Sequence, residues 1–320
     1  MGRPTVINYT LRPAKNIERK MLAEGFARLA PLAPLPSYRY IGFGSFSFND
    51  FSLYHHALGI RHMVNIERDV DNRGRYEFNR PFKCITMRFG ESGELLPLLD
   101  WDRRTIVWLD NVDPLNEGIL TDIGTVISRA VSGSVVVFTV NAHPFEVNGD
   151  NVERVHELRL AQIKANVGGR WVAEEVQPKE LKGWGTADLY WRIMSDKIEE
   201  TLQERNAPEV RRDHLHFRQL FHFRYADGAK MLTVGGVIAS PKDWRRLGTA
   251  AFGGLSFLRT GKDPFLIAPP TLTGREVSYL NQRLPKRGRG LGHPRWLSET
   301  DRHRYVDVYR YFPIFAESEL

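Results

Sequence analysis

The sequence predicts an α/β fold: a doubly wound, mostly parallel sheet closed by a C-terminal antiparallel hairpin, with a helical insertion and a C-terminal helical extension. Three observations predict it. Five strand-like runs alternate with helical stretches between Tyr38 and Val140, the order that right-handed βαβ crossovers produce. Val135 to Val140 is almost purely β-branched, as suits a strand buried on both faces. Asp227-Gly228 separates two further runs, His216 to Tyr225 and Lys230 to Ile238, and Asp-Gly between apolar runs is a tight-turn signal for a hairpin.

The elements follow in order. Ile17, Met21, Leu22, Phe26 and Leu29 share one stripe at helical spacing, so residues 17 to about 30 read as an amphipathic helix. Pro31, Pro34 and Pro36 stop it. Tyr38 to Phe43 reads as the first strand, Asp50 to Leu58 as a short helix closed by Gly59, and His62 to Glu67 as the second strand. Lys83 to Met87 is the third strand, Glu94 to Leu99 a helical turn, and Thr105 to Leu109 a buried fourth strand. Ile119 to Val131 keeps helical periodicity, with Asn116 as its cap and Gly133 beyond its end. Past the fifth strand, Val152 to Ala165 and Leu189 to Leu202 read as the inserted helices. Two more helices are expected near the end, one at the capping-box pair Thr273 and Glu276 and one at Ser298 with Asp301 at the matching offset. The expected organisation is therefore a domain over residues 1–240, interrupted by the insertion at about 148–212, and an extension over 241–320.

Composition narrows the function. The 320 residues are 42% apolar and 26% charged, which excludes disorder as the main state. No run of 18 or more uncharged apolar residues occurs, and Lys15, Glu18, Arg19 and Lys20 leave no signal-peptide segment, so a cytoplasmic protein is expected. Cys84 is the sole cysteine, excluding an intrachain disulfide and multi-cysteine metal centres. The formal charge of +7 is concentrated late in the chain, where Lys286, Arg287, Arg289, Arg295, Arg302, Arg304 and Arg310 interleave with Trp296, Tyr305 and Tyr309. Such a mixture suits a nucleic-acid or protein partner, or forms a solvated basic face whose aromatics pack inward.

Chemistry is expected at the strand ends. The first strand runs into Gly42-Phe43-Gly44-Ser45, where glycines let backbone approach a nucleotide and the following helix presents its amides. The second strand ends in Glu67, placed to accept hydrogen bonds from a ribose diol. The fourth ends in Asp110-Asn111-Val112-Asp113, and the fifth in Asn141-Ala142-His143. Asp110, Asp113 and His143 are the candidate bases, while both aspartates also suit the capping of the next helix.

Together, the strand order, the Gly42-x-Gly44 turn, Glu67 and the closing hairpin resemble the class I S-adenosylmethionine-dependent methyltransferase superfamily, with its Rossmann-like fold, and more narrowly bacterial O-methyltransferase-like proteins. The resemblance spans roughly residues 11–240. It implies that Gly42, Gly44 and Ser45 wrap the methionine part of the cofactor S-adenosylmethionine and that Glu67 holds the ribose. It also implies that Arg88 and Phe89 flank adenine and that Asp110 orients the methionine amine or the acceptor. The superfamily's third glycine is replaced by Ser45 or Phe46. Asp113-Pro114-Leu115 departs from the Asp-Pro-Pro-aromatic motif of amino-group methyltransferases, so that specificity is not carried over.

Other readings are weaker. A non-catalytic cofactor or nucleotide sensor, a scaffold subunit of a bacterial multiprotein complex, would use the same sheet without needing an acceptor site. A nicotinamide-dependent dehydrogenase needs a glycine where Ser47 stands. His214, His216 and His222 share strand parity and could ligate a metal, but without a cysteine nearby a packed or exposed strand face is preferred, and no metal is expected. Phosphate-loop and Gly-x-Ser-x-Gly sequences do not occur.

Overall fold

The computed structural model describes residues 12–173, 175–248, 252–286, 288–292 and 294–313, and only the backbone of residue 289. Of the late basic residues, Arg287 and the side chain of Arg289 thus lie outside the described part.

Among the described residues, eight strands form one sheet. They are β1 (Arg39–Gly42), β2 (His62–Glu67), β3 (Ile85–Phe89), β4 (Thr105–Pro114), β5 (Ser134–Asn141), β6 (His216–Asp227), β7 (Ala229–Ala239) and β8 (Phe265–Ile267). Their order is β3-β2-β1-β4-β5-β7-β6-β8. The first five run parallel, β7 runs antiparallel to both β5 and β6, and β8 is parallel to β6. The chain reverses winding between β1 and β4, and in such sheets the ligand crevice opens at that switch point beyond the strands' C-terminal ends. The expected hairpin turns at Gly228, whose φ of +101° a side chain would resist.

Helices cover both faces. On one lie α1 (Pro13–Ala27) and α2 (Asn49–Leu58), where Ile17, Met21, Leu22 and Phe26 of the expected stripe are buried against Tyr54, Trp108 and Phe221. Further along are α3 (Arg73–Asn79) and α4 (Ser92–Leu95). The opposite face carries α5 (Glu117–Arg129), α6 (Val152–Val167) and α7 (Gly185–Asn206), packed on the β-branched run of β5. Asn116 Oδ1 accepts the Ile119 amide at 3.0 Å, which makes it the cap of α5. Two cores sealed on opposite faces of one sheet fix the strand ends, and hence the crevice, as a rigid edge.

After the hairpin come α8 (Pro241–Leu247), β8, α9 (Gly274–Asn281) and α10 (Glu299–Val308). The Thr273–Glu276 capping box forms, and Ser298 Oγ receives the Asp301 amide at 3.0 Å. β8 joins the sheet beside Phe223–Tyr225, and Phe257, Val308 and Tyr311 enter the same core as α1. A smaller core gathers Leu280, Leu297 and Tyr305. Tyr305 and the Arg302 side chain are buried inward, whereas Trp296 is 59% exposed and packs edge-on against Tyr279. No described helix is long and apolar enough to cross a membrane.

Candidate active site

A cavity of about 590 Å³ opens at the C-terminal ends of β1 to β5. Its first wall is the β1–α2 turn, residues 43–47. This turn is pinned from beneath, because the Gly44 amide donates a short hydrogen bond to Oδ1 of Asn65, a fully buried residue of β2. Phe48 then takes a left-handed conformation (φ +46°) before α2, a strained choice for a non-glycine residue. Phe48 gives α2 no side-chain cap, while the buried Asp50 of its first turn takes its own amide.

The second wall is Glu67 at the end of β2. Its Oε1 accepts the Asp69 amide at 2.9 Å, and burial raises its pKa above the ordinary carboxylate range despite that bond. Gly90, Glu91 and Ser92 continue the wall beyond β3. Ser92 Oγ donates at 2.5 Å to Asp122 of α5, whose carboxyl is pushed up to about 6 by burial.

The floor is β4. Its pairing with β5 shifts register between Asp110 and Pro114, and such a bulge re-aims side chains at a strand end. It places Asp110, Asn111 and Asp113 along the cavity. Asp113 sits at the exposed mouth in an ion pair with Arg68 at 3.1 Å. Asp110 is deeper, and its Oδ1 is 2.6 Å from Lys15 Nζ.

The last wall is α1, whose polar side faces the crevice through Arg12, Lys15 and Arg19. The helix starts at Pro13, earlier than the apolar stripe indicates. Its first amides are capped from a distance: Asp227, at the hairpin turn, accepts the amides of Ala14 and Lys15 at 3.4 and 2.9 Å. Lys15 Nζ also donates to the Tyr225 hydroxyl at 3.0 Å and stands 4.4 Å from the Trp108 ring centre.

Of the residues expected from sequence, the cavity thus gathers Gly44, Ser45, Glu67, Asp110 and Asp113. Gly42, Arg88, Phe89 and His143 stand outside its lining. Gly42 is two residues from Gly44, but a Cβ on it would lie 2.6 Å from the Tyr40 hydroxyl; its bareness makes room for the buried Tyr40–Asp50 hydrogen bond. Arg88 is exposed, and Phe89 packs edge-on to Tyr76 beneath Arg73, so the wall after β3 begins one residue later. His143 gives its backbone amide to Asn141 Oδ1 at 2.9 Å, and it is Asn141 that lines the cavity. Among the three late histidines, His222 stacks on Trp191 and bonds the Gly261 carbonyl, while His214 bonds the Glu209 carbonyl.

Strand order, hairpin and crevice define a Rossmann-like methyltransferase fold. The chain belongs to the family described as "Putative O-methyltransferase", whose profile matches residues 7–320. It is a methyltransferase of the S-adenosylmethionine-dependent kind. Similar solved structures include cofactor-bound Rv0187 from MTB, 16% identical over 73% of this chain and 83% of that one, with a TM-score of 0.38. Another is the O-methyltransferase TomG from Streptomyces achromogenes, involved in tomaymycin synthesis and solved with SAM, 16% identical over 69% and 79% of the two chains, with a TM-score of 0.37. No curated protein sequence matches the chain.

Proposed function

We propose that the crevice seats S-adenosylmethionine across the ends of β1, β2 and β4 and that the protein methylates a hydroxyl of a small acceptor entering beside Asp113. The observation that carries this reading is the placement of Glu67 and the Lys15–Asp110 pair on either side of the pinned Gly44 turn. A cavity of about 590 Å³ falls within the usual range for ligands of this size, about 300–1,000 Å³. Glu67 already holds the Asp69 amide through Oε1 and also takes a hydrogen bond from Tyr76, so the ribose diol would share the carboxylate with these two donors. The Gly90–Ser92 wall suits the adenine. The amino-acid end fits between the β1–α2 turn and the Lys15–Asp110 pair, where a carboxylate meets the ammonium and an amine meets Asp110.

When bound, the cofactor supplies a methyl group on a sulfonium. The chain's contribution is alignment of the acceptor oxygen with that methyl and removal of the hydroxyl proton. Asp110 is the base we assign, because Lys15 binds its Oδ1 and leaves Oδ2 for the acceptor. Asp113, paired to Arg68 at the mouth, orients the incoming molecule. His143 supports the floor through Asn141. Calorimetric titration with S-adenosylhomocysteine, followed by release of label from methyl-labelled S-adenosylmethionine in the presence of hydroxylated acceptors, tests the reading. Absence of cofactor binding would overturn it, and binding without transfer to any hydroxyl would favour a sensor.

A further inference from the structure

We propose that Glu18, sealed beneath the crevice, is the proton store of the reaction: it gives up a proton when the cationic cofactor binds and takes back the one that methyl transfer frees from the acceptor hydroxyl. The inference rests on the cofactor reading above.

Glu18 lies on α1 with no exposure to solvent. Its Oε2 is 2.8 Å from Lys15 Nζ, and its Oε1 receives a short hydrogen bond from the Thr233 hydroxyl. That hydroxyl is 2.8 Å from Thr139 Oγ1, which accepts the Trp108 indole N–H at 2.9 Å. The groups facing the carboxyl are therefore Lys15 from α1, Tyr54 from α2, Asp110 from β4, Tyr225 from β6 and Thr233 from β7, with Arg19 of α1 acting on the two tyrosines. Only Lys15, Asp110, Tyr225 and Arg19 of this set reach the cavity.

One ammonium is shared by two carboxylates, since Lys15 Nζ is 2.6 Å from Asp110 and 2.8 Å from Glu18. Keeping both carboxylates ionised on one cation in a water-poor site is costly. Burial raises the Glu18 pKa, and Lys15 opposes that rise. The sulfonium charge that S-adenosylmethionine brings, and S-adenosylhomocysteine lacks, adds positive charge to the crevice and favours the Glu18 carboxylate. Its proton then leaves through Lys15 Nζ, which gives one of its own protons to the solvent of the crevice and takes up the one from Glu18. During transfer the acceptor O–H bond breaks, an O–C bond forms, and the C–S bond breaks with its electron pair staying on sulfur. The crevice loses the sulfonium charge as one proton is freed. Asp110 takes that proton, and Lys15 passes one of its own to Glu18 Oε2 and recovers the one on Asp110.

The test is calorimetry of the whole chain with S-adenosylmethionine and, separately, with S-adenosylhomocysteine, in buffers of different ionisation enthalpy. It is run from about pH 5 to 7, below the range where an α-amino group titrates. We expect S-adenosylmethionine to expel more protons than S-adenosylhomocysteine, the difference approaching one per site at the acid end. The ratio of the two affinities then rises by up to about tenfold per pH unit before levelling. Glu18→Gln should abolish the difference and flatten the ratio. Thr233→Val, which removes a donor to the carboxylate, should move the levelling point to higher pH. Equal proton counts for the two ligands, or a pH-dependent ratio that persists in Glu18→Gln and is unmoved in Thr233→Val, overturn the proton store and leave the cofactor reading standing. Binding of neither ligand overturns both.

Discussion

Gly44→Ala is expected to break the crevice from within, and Asn65 is the reason. A Cβ on residue 44 would lie 2.6 Å from Asn65 Oδ1 and 3.1 Å from Phe48 Cδ1. Asn65 has no room to yield, being wholly buried in β2 with its Nδ2 at 3.6 Å from Met87 Sδ. The methyl therefore separates the Gly44 amide from its acceptor. A buried partner left unsatisfied costs about 1–3 kcal/mol, and overpacking adds about 1–3 kcal/mol, for a loss of about 3 kcal/mol in total. Asn65→Ala on its own strands the same amide and should cost about 2 kcal/mol. In the double variant the new methyl enters the space vacated by the carboxamide, so the second step is nearly free and the pair couples by about 3 kcal/mol. Urea unfolding of the four proteins measures the cycle. S-adenosylhomocysteine titration should show affinity lost in both single variants and not recovered in the double, because nothing then holds the turn. Additivity within about 0.5 kcal/mol would refute the pinning argument.

Glu67→Gln keeps an acceptor for the Asp69 amide but removes the charge from the ribose contact. S-adenosylhomocysteine should bind about 10- to 100-fold more weakly, with stability little changed; unaltered affinity would place the ribose elsewhere. Asp110→Asn should lower kcat by about 10²- to 10⁴-fold while cofactor still binds, and a variant of full activity would remove Asp110 as base. Two buried groups also oppose each other in pH dependence. The Asp122 carboxyl, raised to about 6, contributes stability below its ordinary 3.8 that is lost as pH rises to about 6. The His222 imidazole, lowered to about 4 chiefly by burial, contributes stability above its ordinary 6.5 that is lost as pH falls to about 4. Their slopes largely cancel between pH 4 and 6. Asp122→Asn should unmask a rise of about 2 kcal/mol across that window in urea midpoints, and His222→Gln the opposite fall; parallel slopes in all three proteins would contradict both assignments.

Strand-end chemistry was legible because it is local. Glu67 and Asp110 each close a strand-like run, and the glycines of the first turn lie between a strand and a helix. Gly42 closes β1 whereas Gly44 lies beyond it in the turn: one bareness serves the Tyr40–Asp50 contact and the other serves Asn65. β8 escaped notice because three residues, Phe265–Ile267, carry no measurable period, and they pair only once β6 is in place. α3 escaped because Gly74 and its flanking arginines weaken any helical stripe.

The largest omission was the polar side of α1, and its cause is instructive. An amphipathic pattern assigns charges to solvent by default, and Ile17, Met21, Leu22 and Phe26 obey that pattern by filling the core. Lys15, Glu18 and Arg19 do not, since all three are buried. Their partners lie far away in sequence: Lys15 meets Asp110 across 95 positions, and Thr233 meets Glu18 across 215. No local period encodes such contacts. The charges that composition would assign to the surface are instead buried, Lys15 and Arg19 against the crevice and Glu18 beneath it.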